Sequence, residues 1–469
     1  MIIAVYIALL IGALAEADST TSLWSYAAVI LFVIFVALLF RRTRAAVAIL
    51  LPLVLTRLLL LLSLVFIAER FFIRELGITA NGTTHACYFA LLACAFLHLT
   101  VATFRLLTSV FVPRPAQTYS PVRHLFITGT IVAALGAVLF LIVTGASAGF
   151  ALFDATDRFA YRADQSWLFN IIITQKPIIC ALLGFVRFRM VISRGTRLTV
   201  TGSFAALLLT STLFGDKFLS LLIMVAFFFL PFLVLKPAIK GRALITGTIV
   251  TLFVGVMVSG LTYYTYSDFG NLGAEETSER LFGRFTGQGQ LWYAVNNQAS
   301  QVVAGDPAEA QRLRAVMLAT RGADALAFET HTGIFQMVER FAPPNIRASV
   351  FASQGYVQFT GASEAYLTMV FGRGGMLILL AMLALGCGLA TYYVYNALIA
   401  GSLFGFAVSM FIATNYYSML NQGSFWQIFG VRSLAYIATL VVIDMTARVV
   451  LSRGAGRPAL RSERPDKLK

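Results

Sequence analysis

Arg280 and Arg284 stand four positions apart in SERLFGRFTGQGQLWYAV, residues 278–295. On a helix that spacing turns both side chains the same way. A guanidinium is a planar fork matched to phosphate oxygens, and it stays charged at any physiological pH. Two such forks side by side can grip a diphosphate. The alternative is a solvated helix on which Glu275, Glu276 and Glu279 neutralise the pair. Arg158 and Arg162 repeat the spacing in FDATDRFAYRADQSW, with Asp154, Asp157 and Asp164 as neutralising neighbours. Two arginine pairs in separate loops favour an anionic site.

The other chemical candidates are acids, isolated cations and aromatics. Glu364 opens an apolar-periodic helix in ASEAYLTMVFGRGGMLILLAML, where a glycine-rich turn carrying Arg373 follows. Held just above a membrane, its carboxylate would serve as a general base toward a sugar hydroxyl. It would equally serve as a helix-start acid at the positive end of the dipole. His331 and Arg340 share the segment ETHTGIFQMVERF; a lone histidine there is more often solvated or structural than catalytic. Lys176 lies mid-run in NIIITQKPIICALL, before a proline that opens the backbone. A lysine in hydrocarbon is costly and should face a cavity or a partner. Lys217 sits in a tight turn beside Asp216. Arg57, Arg432 and Asp444 also fall inside apolar runs, where structural pairing is the expected role. Trp292, Tyr293 and Tyr356 offer rings on which sugars stack, although such residues more commonly pack in cores.

These residues sit in a very apolar chain. Its 469 residues are 59% hydrophobic and 12% charged, with a mean hydropathy of +0.82. Repeated apolar runs of bilayer-spanning length, without strand-like alternation, indicate an all-α, polytopic helical membrane protein. The net charge of +15 would point to nucleic acid only if its location were ignored. Most of the excess lies in short loops between spans, where basic residues orient a membrane protein. Cys87, Cys94, Cys180 and Cys387 fall inside apolar runs and read as buried small hydrophobes. The four histidines are scattered, so neither a metal site nor a cofactor is expected.

About twelve transmembrane helices are predicted, at 2–15, 23–40, 45–67, 86–104, 125–150, 168–186, 199–214, 218–235, 243–265, 376–394, 398–414 and 428–447. When these alternate, the Lys- and Arg-rich connections at 41–44, 105–124, 187–197 and 236–242, and the tail from Arg448, all fall on one side. That side should be the cytoplasm. The first run ends in an Ala-Leu-Ala stretch like a signal-peptidase site but lacks a charged n-region, so a retained first span is favoured. The organisation expected is therefore helices 1–9 over 1–266, a large non-cytoplasmic loop over 267–375, helices 10–12 over 376–447, and a basic cytoplasmic tail over 448–469. The large loop carries eight arginines and no lysine. Its helical periodicity predicts short amphipathic helices that lie on the membrane surface or cap the bundle.

The combination resembles the Wzy-type polysaccharide polymerases, which share a GT-C-like architecture with the O-antigen ligases. The likeness rests on the many spans, the single large loop in the C-terminal half, the arginines in two outer loops, GDKFLSLLIMV and SEAYLTMVFGRGG. The His331 region departs from the His-Asn pattern of the ligases, which favours polymerase. The resemblance implies a bacterial inner-membrane enzyme with its C-terminus cytoplasmic. It would join oligosaccharide repeat units carried on undecaprenyl diphosphate, at the periplasmic face and without a metal. Membrane lipid, flippase and chain-length regulator proteins are the further partners implied. Arg280 and Arg284 would stabilise the departing diphosphate, helped by Arg158, Arg162 and Lys217, with Glu364 as base. An O-antigen ligase, or a polysaccharide flippase or transporter, remains as the alternative.

Overall fold

A computed structural model describes residues 1–17, 21–73, 76, 78–79, 82–111, 120–152, 161, 165–215, 218–236, 286–298 and 363–422, with isolated positions at 260, 283 and 341 and between 434 and 446. In chain order the helices are α1 (Ile2–Ala17), α2 (Leu23–Arg42), α3 (Arg44–Ile49), α4 (Leu51–Ala68), α5 (Ala86–Val110), α6 (Ser120–Ala148), α7 (Trp167–Arg189), α8 (Arg194–Leu213), α9 (Phe218–Leu235), α10 (Gln290–Gln298), α11 (Ser363–Ala400) and α12 (Leu403–Gln422). A minimal hairpin of β1 (Phe72–Ile73) and β2 (Ile78–Thr79) joins α4 to α5. Among the described residues seven helices are long and apolar enough to cross a membrane: α2, α4, α5, α6, α7, α11 and α12. The shorter α1 and α9 are also apolar. The protein is thus an all-α membrane protein, as its composition requires of backbone groups that have no water to bond. The predicted run at 243–265 and most of 428–447 lie outside the described residues, as do the two loop segments expected to form surface helices.

The main core joins α1–α5 to α10–α12, with Leu9, Phe32, Phe35, Phe89 and Phe406 excluded from solvent. A second core gathers α6 and α8 against α7 and α9, and α7 and α9 contribute to both. All four cysteines are free and buried. The short first helix belongs to the main core: Tyr6 Oη lies 3.2 Å from His98 Nδ1 of α5, and Gly12 faces the Cys87 thiol. Helix α11 runs parallel to α5. Arg373 lies over Tyr88, and the Tyr392 hydroxyl donates to Phe111 O at 3.2 Å. Between these points Gly388 meets the Thr100 carbonyl, where any Cβ would come within 2.8 Å. Close approach of backbones through small residues is the usual way such helices associate without a hydrophobic driving force.

Two details differ from expectation. The run at 45–67 forms two helices, α3 and α4, separated at Leu50. Pro52 lies in the first turn of α4 and lacks the N–H that would continue the α3 ladder. The runs at 376–394 and 398–414 are parts of longer helices, because α11 starts at Ser363 and α12 extends to Gln422.

One end of the bundle collects Arg41, Arg42, Arg44, Arg187, Arg189, Arg194 and Arg197. Arg44 Nε donates to Leu233 O at 2.8 Å. Arg189 caps the last carbonyls of α11 through Leu398 O at 3.1 Å and Ile399 O at 3.0 Å. Cations at helix C-termini suit the dipole and satisfy orphan carbonyls. The opposite, distal end holds the start of α5, the end of α1 and α4, and Arg373.

Candidate functional site

Helix α11 is broken near its start. Gly372 adopts φ 66° and ψ 177°, a conformation that only glycine takes without strain. It divides a short helix, Ser363 to Phe371, from the long helix that continues to Ala400. Every residue from Ser363 to Val370 is buried, including Ser363, Glu364 and Thr368. A buried polar stretch requires partners, and α4 supplies them through Arg57.

Arg57 is buried within α4, about 9 Å from its start and about 16 Å from its end at the helical rise per residue. Its Nε lies 3.0 Å from Glu364 Oε1, in an ion pair whose angle falls outside hydrogen-bond geometry. Its Nη1 donates to Asn421 Oδ1 at 3.3 Å, and its Nη2 donates to Ser363 Oγ and Leu420 O, both at 3.2 Å. The Ser363 hydroxyl donates to Glu364 Oε2 at 3.0 Å, and the Thr56 hydroxyl donates to Asn421 Oδ1 at 2.9 Å. A single guanidinium therefore ties α4 to the first residues of α11 and the last residues of α12. The expected structural pairing of Arg57 is present. Glu364, expected as a base open to a sugar hydroxyl, is fully buried inside the bundle and faces Arg57.

A second inserted segment lies above this pair. The Ser63 hydroxyl of α4 donates to Thr286 O at 2.8 Å and accepts from the Gly289 N–H at 2.7 Å. That anchors the turn leading into α10, whose residues Leu291 to Val295 are all buried. Trp292 packs against Phe89, with ring centroids 5.1 Å apart, and its indole N–H donates to Thr84 O at 3.2 Å. Tyr293 Oη accepts from the Gly82 N–H at 3.2 Å, and Asn297 Nδ2 donates to Thr83 O at 2.8 Å. Both rings serve the core, so neither presents an open face for a sugar. Helix α10 is thus seated within the bundle. Gln290 Oε1 and Asn296 Oδ1 are buried acceptors with no hydrogen-bond partner among the described residues.

At the distal end the N-terminus of α5 is capped by Glu16 of α1. Its Oε1 accepts from the Thr84 hydroxyl and the Ala86 N–H, both at 2.8 Å, and its Oε2 accepts from the Cys87 N–H at 2.9 Å. Ser25 Oγ of α2 lies 2.7 Å from Thr84 Oγ1 and extends the chain. A buried carboxylate on the orphan N–H groups of a helix satisfies both charge and donors. Glu16→Ala leaves two buried N–H groups unpaired and the Thr84 hydroxyl with Ser25 alone, so it should destabilise the protein by about 2–3 kcal/mol. Glu16→Gln keeps one acceptor and should lose less. Thermal unfolding of the two purified variants tests this, and equal midpoints for Glu16→Ala and the parent would disprove it.

Arg373 is exposed at this same end, with its guanidinium carbon 5.8 Å from the Tyr88 ring centroid. It opens the long part of α11, whose first N–H groups and positive dipole end add to its charge. His85, just before α5, is tied to Thr83 Oγ1 at 2.9 Å. Burial holds its pKa below the usual histidine value, Arg373 lowers it further, and Glu16 opposes both. Lys176 is buried within α7 beside Pro177. Arg158, Arg162, Lys217, Arg280, Arg284, His331, Arg340 and Tyr356 lie outside the described residues, as do Arg432 and Asp444.

The structure thus brings Glu364 to Arg57, and Arg373 to Tyr88 and His85, at two depths of one bundle. Sequence reading missed Glu16, Ser63, His85 and Asn421. A lone carboxylate closing the first apolar run was the available signal for Glu16. Residues 327–437 match the model of a family described as a family of unknown function (DUF6418). No curated protein and no solved structure matches the chain. The matched stretch includes Ser363, Glu364, the Gly372 break, Arg373 and Asn421.

Proposed function

We propose that the protein is a Wzy-type polymerase of the bacterial inner membrane, joining undecaprenyl-diphosphate-linked oligosaccharide units at the periplasmic face. The twelve-span topology with its C-terminus cytoplasmic belongs to this reading, with the arginine-rich end of the bundle facing the cytoplasm. The observation that carries it is the Gly372 break, which sets an exposed arginine at the start of a long helix, at the end opposite the basic one. A guanidinium combined with free helix N–H groups suits phosphate oxygens. The same reading gives Arg280 and Arg284, with Arg158, Arg162 and Lys217, the task of holding the diphosphate.

In the reaction a hydroxyl of the incoming unit attacks the anomeric carbon of the growing chain. The bond from that carbon to the diphosphate oxygen breaks, its electron pair leaves on the phosphate, and the hydroxyl proton passes to a base. Negative charge therefore grows on the leaving diphosphate, where fixed guanidinium groups stabilise it most. Glu364, engaged by Arg57 and Ser363, is poorly placed to take the proton.

One observation favours a second reading: a broken helix with a buried ion pair also suits a polysaccharide flippase. Gel analysis of surface and lipid-linked glycan in a deletion strain separates the cases. A polymerase leaves single units on the carrier, and no long chains. Carrier-linked long chains that never transfer would indicate a ligase, and units trapped on the cytoplasmic face would indicate a flippase.

A further inference from the structure

The buried pair at Arg57 has no part in the chemistry above, yet it joins three helices with every nitrogen of one guanidinium. Glu364 and Ser363 form the foot of the short helix that ends at Phe371. That helix is a strut about 12 Å long, and its residues from Ala365 to Val370 are all buried. Its upper end is the Gly372 turn, and Arg373 over Tyr88 follows at once. Apolar packing alone lets a short helix rotate or slide at small cost in surroundings as apolar as itself. An ion pair with two satisfied hydroxyls and an amide is met in one register, since a one-residue slip turns Glu364 about 100° away from Arg57.

We propose that Arg57 and Glu364 are positioning residues. Their pairing seats the Ser363–Phe371 strut and so fixes where Arg373 stands above Tyr88 at the distal end. The ligand that this arginine meets, a lipid-linked diphosphate, rests on the polymerase reading. The mechanical coupling between the pair and Arg373 does not.

The coupling is tested in full-length protein in native membranes. In a background with Cys87 replaced by alanine, cysteines replace Tyr88 and Arg373, and cross-linking between them by a flexible bismaleimide is measured. In this background Glu364→Ala should lower the cross-linking yield roughly tenfold. The reversed pair, Arg57→Glu with Glu364→Arg, should recover most of it. An unchanged yield in Glu364→Ala overturns the proposal. So does a reversed pair that elutes as folded protein but cross-links no better than the single variant.

A second measurement uses the parent with Arg373 intact and follows polymer formation from lipid-linked units against pH. Positioning predicts that Glu364→Gln raises KM and leaves the pH profile in place. Loss of the acidic limb in Glu364→Gln makes Glu364 the base and overturns the positioning role. A cross-linking dependence in the cysteine background, together with no polymer from membranes of the parent, refutes the polymerase reading and leaves the coupling standing.

Discussion

Arg57→Met destabilises the protein by about 3–5 kcal/mol, and adding Glu364→Leu restores most of the loss. The single change strands a carboxylate that is wholly excluded from solvent and retains only the Ser363 hydroxyl. An ionised side chain at such depth costs about 2.5–3.5 kcal/mol even by lenient insertion scales. The second change removes that charge. What remains is tolerable, because Asn421 Oδ1 still accepts from Thr56 and Leu420 O is one carbonyl near a helix end. Because each single change strands the other's charge, the two substitutions should couple by about 3 kcal/mol or more in the favourable direction. Equilibrium unfolding in mixed micelles measures this. A single variant within about 0.5 kcal/mol of the parent would mean the pair is solvated in the membrane, since surface changes alone have effects that small. A double variant no better than the single would place the cost in lost packing of the arginine stem.

How much of this was legible depended on whether the determining partner was local. Long apolar runs announce helices because the backbone has no other way to bond itself in hydrocarbon, and α2, α5, α6 and α7 appear close to their expected bounds. FGRGG reads as a glycine-rich turn carrying Arg373, and the helix breaks there, at Gly372. The fate of Glu364 was not legible. SEAYLTMVF reads as an amphipathic helix whether its polar face meets water or a buried cation, and the cation comes from Arg57, far back in the chain on α4. Trp292 was ambiguous for the same reason: a ring for sugar and a ring for Phe89 have the same local sequence. Glu16 was obscured by its setting, since a carboxylate after Ala-Leu-Ala reads as the edge of a span. Its role exists only once α5 brings two free N–H groups to it.

Arg280→Lys and Arg284→Lys should each cut long-chain polymer by about 10²–10³-fold while the protein remains in the membrane at normal abundance. The substitution preserves charge and removes the planar fork, so it separates two explanations of the same spacing. If the pair only balances Glu275, Glu276 and Glu279 on a solvated helix, lysine serves as well, and exposed pairs of that kind are worth about 0–1 kcal/mol. If the pair grips a departing diphosphate, a compact ammonium cannot make the paired bonds that a guanidinium offers to phosphate oxygens. The defect should then be in turnover, because the interaction strengthens only as charge builds on the leaving group. Gel analysis of glycan from strains carrying each variant, with immunoblots of the membranes, gives both quantities. Normal long chains from both lysine variants would remove these arginines from the site and leave Arg373 as the group to which a diphosphate must be assigned.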